Sequence, residues 1–209
     1  MRTYLHKTPV ILKKLYPKLL WQKPDKDKVI YLTFDDGPIP GVTDWVIELL
    51  NDRNIKATFF VVGENVKKYP SLFEEVIAEG HKIGNHTYNH LKGWKTNTDD
   101  YIANFQLCQE EIDLHYSGDK LFRPPYGRIK PSQIKQITET HDIVMWDYLI
   151  GDFDASQNSL KLLSRAKAGV SNGSIVIFHD SLKAKYHLKA ILPSFLDHFL
   201  CKKYLFKTL

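Results

Sequence analysis

The stretch Val29-Ile30-Tyr31-Leu32-Thr33-Phe34-Asp35-Asp36-Gly37-Pro38, residues 29–38, decides the fold. Its first six residues are β-branched, aromatic or leucine, and such a run predicts a buried strand. Two carboxylates and a Gly-Pro turn follow where that strand ends. A buried strand that carries acids at its carboxyl end is what we expect of a β/α barrel, where such positions converge on one face.

The rest of the chain alternates short strand patterns with longer helical ones. The further predicted strands are 57–62, 82–84, 121–123, 143–146, 174–178 and 204–209, and the predicted helices are 42–53, 71–79, 99–116, 131–141, 159–169 and 189–200. Parallel strands need crossover connections, so this order predicts an α/β fold. We expect a single-domain, distorted (β/α) barrel of about seven parallel strands.

The charge of the chain is unevenly distributed. The 209 residues carry a net charge of +5, a value that would suit nucleic acid or an anionic membrane. Residues 1–28 hold eight basic residues against two acidic ones and residues 183–209 hold six against one, so the stretch 29–182 is acidic overall. We therefore expect no nucleic-acid partner, and at most a weak membrane-surface association through the basic termini. The chain divides into a basic arm, 1–28, and a body, 29–209.

The arm also carries an apolar pattern. Leucines and a tyrosine fall at helical spacing between its lysines, which is compatible with a membrane-surface helix or with a solvated helix packed on its own domain. We favour the packed helix. No run of 18 apolar residues and no clear signal peptide is visible, so the expected location is cytoplasmic or envelope-associated. We expect a monomer.

Two pairs of residues indicate metal chemistry. Adjacent acids such as Asp35 and Asp36 can divide their work, one holding a metal and the other handling a proton, although Asp-Gly-Pro is also a common turn. His86 and His90 are four residues apart, so on one helical turn both imidazoles would face one ion. Two histidines and one aspartate leave coordination positions open, which is typical of a catalytic site.

Three further segments end predicted strands. Arg123 precedes two prolines, Pro124 and Pro125. Its guanidinium could pair with a carboxylate. The prolines make the turn rigid, so a following backbone N–H could point at an oxyanion. His179 follows a buried strand and is a candidate general acid. Trp94 lies in the polar loop after the histidines, and we expect it to form a wall of the substrate site.

Five motifs in this order resemble the polysaccharide deacetylases of carbohydrate esterase family four, which carry the chitooligosaccharide-deacetylase homology domain. The motifs are residues 33–38, 86–90, 123–127, 146–153 and 177–180, and the resemblance covers about 29–182. It implies a catalytic domain over 29–209 and a divalent metal, zinc above all, with cobalt, nickel or manganese as alternatives. The ligands it implies are Asp36, His86 and His90.

The resemblance also implies roles for the remaining residues. They are Asp35 as catalytic base, Arg123 as its orienting cation, the Tyr126 N–H as oxyanion donor, His179 as general acid, Asp152 as the residue that tunes a charged partner, and Pro125, Phe153 and Ile177 as lining of the substrate pocket. The fourth motif departs from the family pattern. Leu149 stands where members often have an acid, and Phe153 stands where they often have tryptophan.

The expected activity is metal-dependent removal of N-acetyl groups from a polymer or oligosaccharide that contains N-acetylglucosamine, such as chitin or peptidoglycan. Two enzymatic alternatives use the same site chemistry: hydrolysis of O-acetyl esters and hydrolysis of a small-molecule amide. A glycan-binding protein with a vestigial site is the non-enzymatic alternative, and the presence of both Asp35 and His179 argues against it.

Overall fold

Eight strands form one sheet in which every ladder is parallel. This computed structural model describes residues 4–209, so the first three residues of the predicted arm lie outside the described part of the chain. The strands are β1 Val29–Asp35, β2 Thr58–Val61, β3 Lys82–Asn85, β4 Leu121–Phe122, β5 Asp142–Ile143, β6 Tyr148–Leu149, β7 Ser174–His179 and β8 Leu205–Lys207. Seven follow the order β5-β4-β3-β2-β1-β7-β6, and β8 pairs with the first residues of β1.

Helices connect the strands and cover the curled sheet. They are α1 Val10–Leu15, α2 Thr43–Asn51, α3 Gly63–Lys68, α4 Pro70–Ala78, α5 Thr98–Asp113, α6 Pro131–Ile137, α7 Ser159–Gly169 and α8 Lys185–Cys201. Single 3₁₀ turns span Gly93–Lys95 and Pro125–Gly127. The predicted α/β fold, a single-domain distorted (β/α) barrel of about seven parallel strands, is confirmed, and the barrel takes the form of a curled half-barrel.

The register of the sheet aligns the ends of its strands. Asp35 of β1 lies level with His179 of β7 and with Phe60 of β2, and Val61 lies level with Asn85 of β3. All seven residues of β1 are buried, because this central strand has helices on one side and the barrel interior on the other. The polar residues that follow β1, β3 and β7 are thereby brought to one edge.

An aromatic cluster anchors the helices to the sheet beneath this edge. The ring of Phe34 stacks on Phe59 at 5.0 Å and lies 6.0 Å from Phe178, which in turn meets Phe195 of α8 at 5.3 Å. These four rings are almost fully buried and belong to the largest apolar cluster. Such close packing holds the strand ends in place, because a packed core resists small displacements.

The arm lies across the opening between the two edge strands, β5 and β6. Lys7 forms an antiparallel bridge with Tyr148 of β6, and Leu20 forms a parallel bridge with Val144, the residue after β5. Trp21 and Leu19 pack with Ile143 in a second apolar cluster. The arm thus covers the backbone groups that both edge strands would otherwise expose.

Several predicted elements differ from those observed. The predicted strand 143–146 shares only Ile143 with the observed β5, the short strand β6 lies beyond it at Tyr148–Leu149, and α3 was not predicted. The apolar spacing of the arm forms only the short helix α1, none of whose residues is buried. The helix is solvated, and it contacts the body through Lys13, which pairs with Asp147, and not through buried apolar residues. Within residues 4–209, every helix is too short or too polar to cross a membrane.

Candidate metal centre and active site

Asp35 and Asp36 turn toward one pocket because the backbone changes conformation between them. Alternate residues of a strand face opposite sides, but Asp36 has a φ of 87°, in the left-handed region that residues with a side chain rarely adopt. The Asn65 side chain holds this conformation by donating to the Asp36 carbonyl at 2.8 Å. A strained residue that neighbours hold in place is typical of a functional site.

The two histidines approach Asp36 from a loop. His86 Nε2 lies 3.8 Å and His90 Nε2 3.2 Å from Asp36 Oδ1, and one ligand atom from each of the three residues falls within 4.8 Å of the others. The structure therefore brings together the predicted ligands. The geometry is not the predicted helical turn, because Thr87 and His90 have φ values of 64° and 59°.

Hydrogen bonds orient this histidine loop. The Asn85 side chain accepts from the Thr87 N–H at 2.8 Å and donates to the Phe105 carbonyl at 2.9 Å. The Arg123 carbonyl accepts from His86 Nδ1 at 2.7 Å, so His86 Nε2 is the nitrogen that faces Asp36. Burial lowers the pKa of His86 to about 4, which keeps the imidazole neutral as a metal ligand requires.

The three side chains suit a divalent cation. Asp36 Oδ1 is buried and has no hydrogen-bond partner among residues 4–209, although an unpartnered buried oxygen is costly. Burial acts to raise the pKa of Asp36, but contact with His90 and the neighbouring imidazoles of His179 and His86 hold it far below its usual value. One carboxylate and two imidazoles form a borderline-hard set that zinc, cobalt, nickel and manganese all accept.

Arg123 holds the second carboxylate. Its guanidinium is fully buried and donates through Nη1 to Asp35 Oδ1 at 2.6 Å and to Thr33 Oγ1 at 2.8 Å. Nε donates to the Val144 carbonyl and Nη2 to the Met145 carbonyl, and the guanidinium lies 4.0 Å above the Phe60 ring. Each of the three guanidinium nitrogens has an acceptor, so Asp35 is held in one orientation beside the candidate metal ligands.

His179 faces the carboxylates from β7. Asp152 is fully buried, and its two oxygens accept from His179 Nδ1 and from the His179 backbone N–H, both at 2.8 Å. Burial alone would lower the pKa of His179, but the charge and hydrogen bond of Asp152, helped by Asp36 and Asp35, raise it to about 9. The imidazole can therefore carry a proton at neutral pH with Nε2 free to donate it.

The turn after Arg123 presents a ring and an N–H. Tyr126 has a φ of 60° at the second position of the Pro125–Gly127 turn, where its N–H has no carbonyl partner within the turn. The Tyr126 ring is more than half exposed and lies 4.6 Å from the His90 ring. Pro125 is buried beneath it.

The three predicted lining residues Phe153, Ile177 and Trp94 lie in three different environments. Phe153 packs edge-on against His179 at 5.0 Å, whereas Ile177 is buried in β7 on the same face of the strand as His179. Trp94 is half exposed, donates through Nε1 to the Ile129 carbonyl, and lies beneath the Arg128 guanidinium. Leu149 is buried in β6, and its N–H donates to the His6 carbonyl.

Two residues near the site were not given a role from the sequence. Asp180 is buried and accepts from the Gly37 N–H at 3.0 Å and from Thr43 Oγ1 at 2.6 Å, which fixes the turn after Asp36. Tyr4 of the arm packs against Phe153 at 5.2 Å. The acid directly after His179 was a usable signal for Asp180, but no local pattern connects Tyr4 with a residue 149 positions away.

Comparisons with known proteins identify the family of this chain and several relatives. The family model described as polysaccharide deacetylase matches residues 22–146. A peptidoglycan-N-acetylglucosamine deacetylase of Bacillus cereus is 32% identical over 204 residues, 95% of each chain. A chitooligosaccharide deacetylase of Azorhizobium caulinodans is 35% identical over 156 residues, 72% of this chain and 73% of the relative.

A solved structure is similar over nearly the whole chain. It is a peptidoglycan N-acetylglucosamine deacetylase in complex with 4-naphthalen-1-yl-N-oxidanyl-benzamide, with a TM-score of 0.88, 30% identity, and coverage of 97% of this chain and 95% of that one. Some relatives are longer, and this chain spans 56% of a second Bacillus cereus deacetylase.

Proposed function

The chain belongs to the polysaccharide deacetylase family, and on this basis we propose that it is a metal-dependent hydrolase that removes N-acetyl groups from a glycan containing N-acetylglucosamine. The observation that carries the proposal is the convergence of Asp36, His86 and His90 beside an ion-paired Asp35, with His179 on the neighbouring strand. The catalytic residues all lie within 29–209, and we assign the arm, 1–28, a supporting role.

We propose that Asp36, His86 and His90 hold the cation, which is zinc in the first instance. When bound, a divalent cation of this kind would supply Lewis-acid activation of water and of the acetyl carbonyl. Asp35 accepts the proton of the attacking water, and Arg123 keeps the Asp35 carboxylate oriented toward it. The Tyr126 N–H donates a hydrogen bond to the oxyanion that develops on the carbonyl.

His179 completes the reaction. The C–N bond breaks as the His179 imidazolium donates its Nε2 proton to the departing nitrogen, so that acetate and a glycan amine result. Asp152 keeps that proton available by holding Nδ1 in the donor form. Phe153, Ile177 and Pro125 border the acetyl group. Trp94 and Tyr126 are more than half exposed and offer rings on which a sugar can stack, Trp94 on the side that Arg128 does not cover.

The experiment is to measure acetate release by the metal-loaded protein from N-acetylated chitooligosaccharides, peptidoglycan and acetylated xylan. Release from the N-acetylated glycans is expected, with xylan turned over slowly or not at all. An Asp35→Asn variant should retain the metal and lose turnover, whereas Asp99→Asn, a change of an exposed acid in α5, should retain both. No release from any glycan, or full turnover by Asp35→Asn, would contradict the proposal.

A further inference from the structure

Helix α1 of the arm is inverted with respect to an ordinary surface helix. Lys13 points toward the body, where Nζ contacts Asp147 Oδ1 at 2.5 Å and Gln22 Oε1 at 2.6 Å. Ile11 and Leu15 are 70% and 67% exposed. Surface helices normally turn their apolar residues inward and their lysines outward.

Helical geometry accounts for this inversion. Residues advance by about 100° each, so Ile11 and Leu15 share one face, and Lys13, two positions from both, lies on the opposite face. Asp147 is almost completely buried and also accepts from Lys7 at 2.6 Å and from Ser174. The buried carboxylate thus holds the side of α1 that carries Lys13 against the body. The opposite side, which carries Ile11 and Leu15, must point outward.

The outward surface is apolar and cationic. We define the α1 surface as Val10, Ile11 and Leu15 together with Lys14 and Lys18, all of which are exposed. Lys14 and Lys18 form no salt bridge among residues 4–209. Leu5 and Tyr16 are also exposed, so the arm concentrates in one short segment the kind of apolar patch that usually marks an interaction site.

We propose that the α1 surface docks on the interface of an anionic lipid bilayer. Apolar side chains flanked by unpaired lysines match a layer of acyl chains beneath negative headgroups, and lysine stems can extend from the apolar zone to the headgroups. A second copy of the chain is a poorer match, because a symmetric contact through this surface would bring together Lys14 and Lys18 of both copies with no acid of the surface to pair with them.

Docking would place the catalytic edge near the bilayer. Tyr4, which packs on Phe153 beside His179, precedes the first residue of α1 by six positions, and six extended residues span at most about 20 Å. A bilayer under α1 would therefore hold the proposed deacetylase site close to glycan at a membrane surface.

The experiment is sedimentation of the full chain with vesicles of neutral phosphatidylcholine, or of phosphatidylcholine with 30% phosphatidylglycerol. Binding to the anionic vesicles is expected, and Ile11→Ser with Leu15→Ser should weaken it roughly tenfold. Lys14→Gln with Lys18→Gln should weaken it about 25-fold, since each lysine near an anionic surface contributes about fivefold. The matched control is Leu160→Ser with Lys161→Gln, an exposed leucine and lysine on α7, which should bind like the parent.

Thermal unfolding and acetate release of the four proteins provide the folding control. The exposed α1 residues bury little surface, so both properties should remain those of the parent and a loss of binding then reports the surface itself. The proposal would be overturned if all four proteins bound equally or if neutral and anionic vesicles were bound with equal affinity. It would also be overturned if sedimentation velocity showed dimers that dissociate in the Ile11→Ser, Leu15→Ser variant. Because vesicle binding is measured without substrate, its result is independent of whether the chain deacetylates a glycan.

Discussion

Replacing Asp152 by asparagine should change the pH dependence of turnover more than it changes the fold. Asp152 uses both oxygens on His179, one on the ring and one on the backbone N–H. The isosteric amide has a single oxygen, so its NH₂ must face one of two donors. If the amide oxygen retains the backbone N–H, the NH₂ faces Nδ1, and the neutral ring then carries its proton on Nε2.

The size of the effect follows from the pKa of His179. Asp152 is the main reason that this pKa is about 9 in spite of burial, which acts to lower it. Without the carboxylate we expect a pKa at or below the ordinary 6.5, a loss of about 3 kcal/mol for the protonated form. At pH 8 the protonated fraction of His179 would then fall about thirtyfold.

The assay is the pH–rate profile of acetate release by the metal-loaded protein. A general acid is active while protonated, so the parent should keep its activity until the pH approaches 9, and Asp152→Asn should lose activity as the pH rises through about 6.5. Asp154→Asn removes a nearby acid that contacts Tyr4 and Ser156, and should leave the basic limb in place. A basic limb that stays where it is in Asp152→Asn would refute the assignment of His179 as the acid.

Three further predictions concern the metal, the substrate and stability. His90→Ala should weaken zinc binding, measured by calorimetry, more than a hundredfold, whereas His115→Ala, which removes a partly buried histidine paired with Glu74, should not. Trp94→Ala should raise KM for a chitooligosaccharide roughly three- to tenfold with kcat unchanged, and an unchanged KM would argue against a stacking wall. Burial lowers the pKa of His81 to about 4, so its contribution to stability, about 3 kcal/mol, is complete above pH 6.5 and is lost as the pH falls from 6.5 to 4. The free energy of unfolding of His81→Gln, measured with urea at several pH values, should lack that pH-dependent component. If the free energy of unfolding changes with pH equally in parent and variant, His81 does not titrate in this way.

Local patterns were sufficient for the long elements of the fold. The apolar run of β1 and the β-branched run of β7 are recognisable because buried central strands are continuous in apolar residues. They were insufficient for β5 and β6, which contain two residues each and owe their existence to pairing with β4 and β7. Strands this short are set by tertiary contacts, because two residues are too few to show the alternating pattern of a strand in the sequence.

The convergence of the candidate site residues could be predicted because most of them lie at or just after the end of a strand, but their conformations could not. The spacing of His86 and His90 suggested a helical turn, whereas the loop depends on left-handed residues and on Asn85 and Asn104. The pairing of Arg123 with Asp35 follows from convergence of strand ends that are 88 positions apart. Side-chain hydrogen bonds over such distances depend on the register of the sheet, which is a property of the whole fold.

The arm shows how a segment that looks peripheral becomes part of the site. The arm is anchored by a buried carboxylate, Asp147, which pairs with Lys7 and Lys13, and removing both lysines would leave that carboxylate buried without a charged partner. The same anchor holds Lys7 beside β6 and thereby positions Tyr4 against Phe153, the ring that packs on His179. The buried carboxylate of Asp147, paired with Lys7 and Lys13, therefore couples three properties of the molecule: closure of the half-barrel between β5 and β6, the wall beside the proposed general acid, and the outward direction of the apolar face of α1.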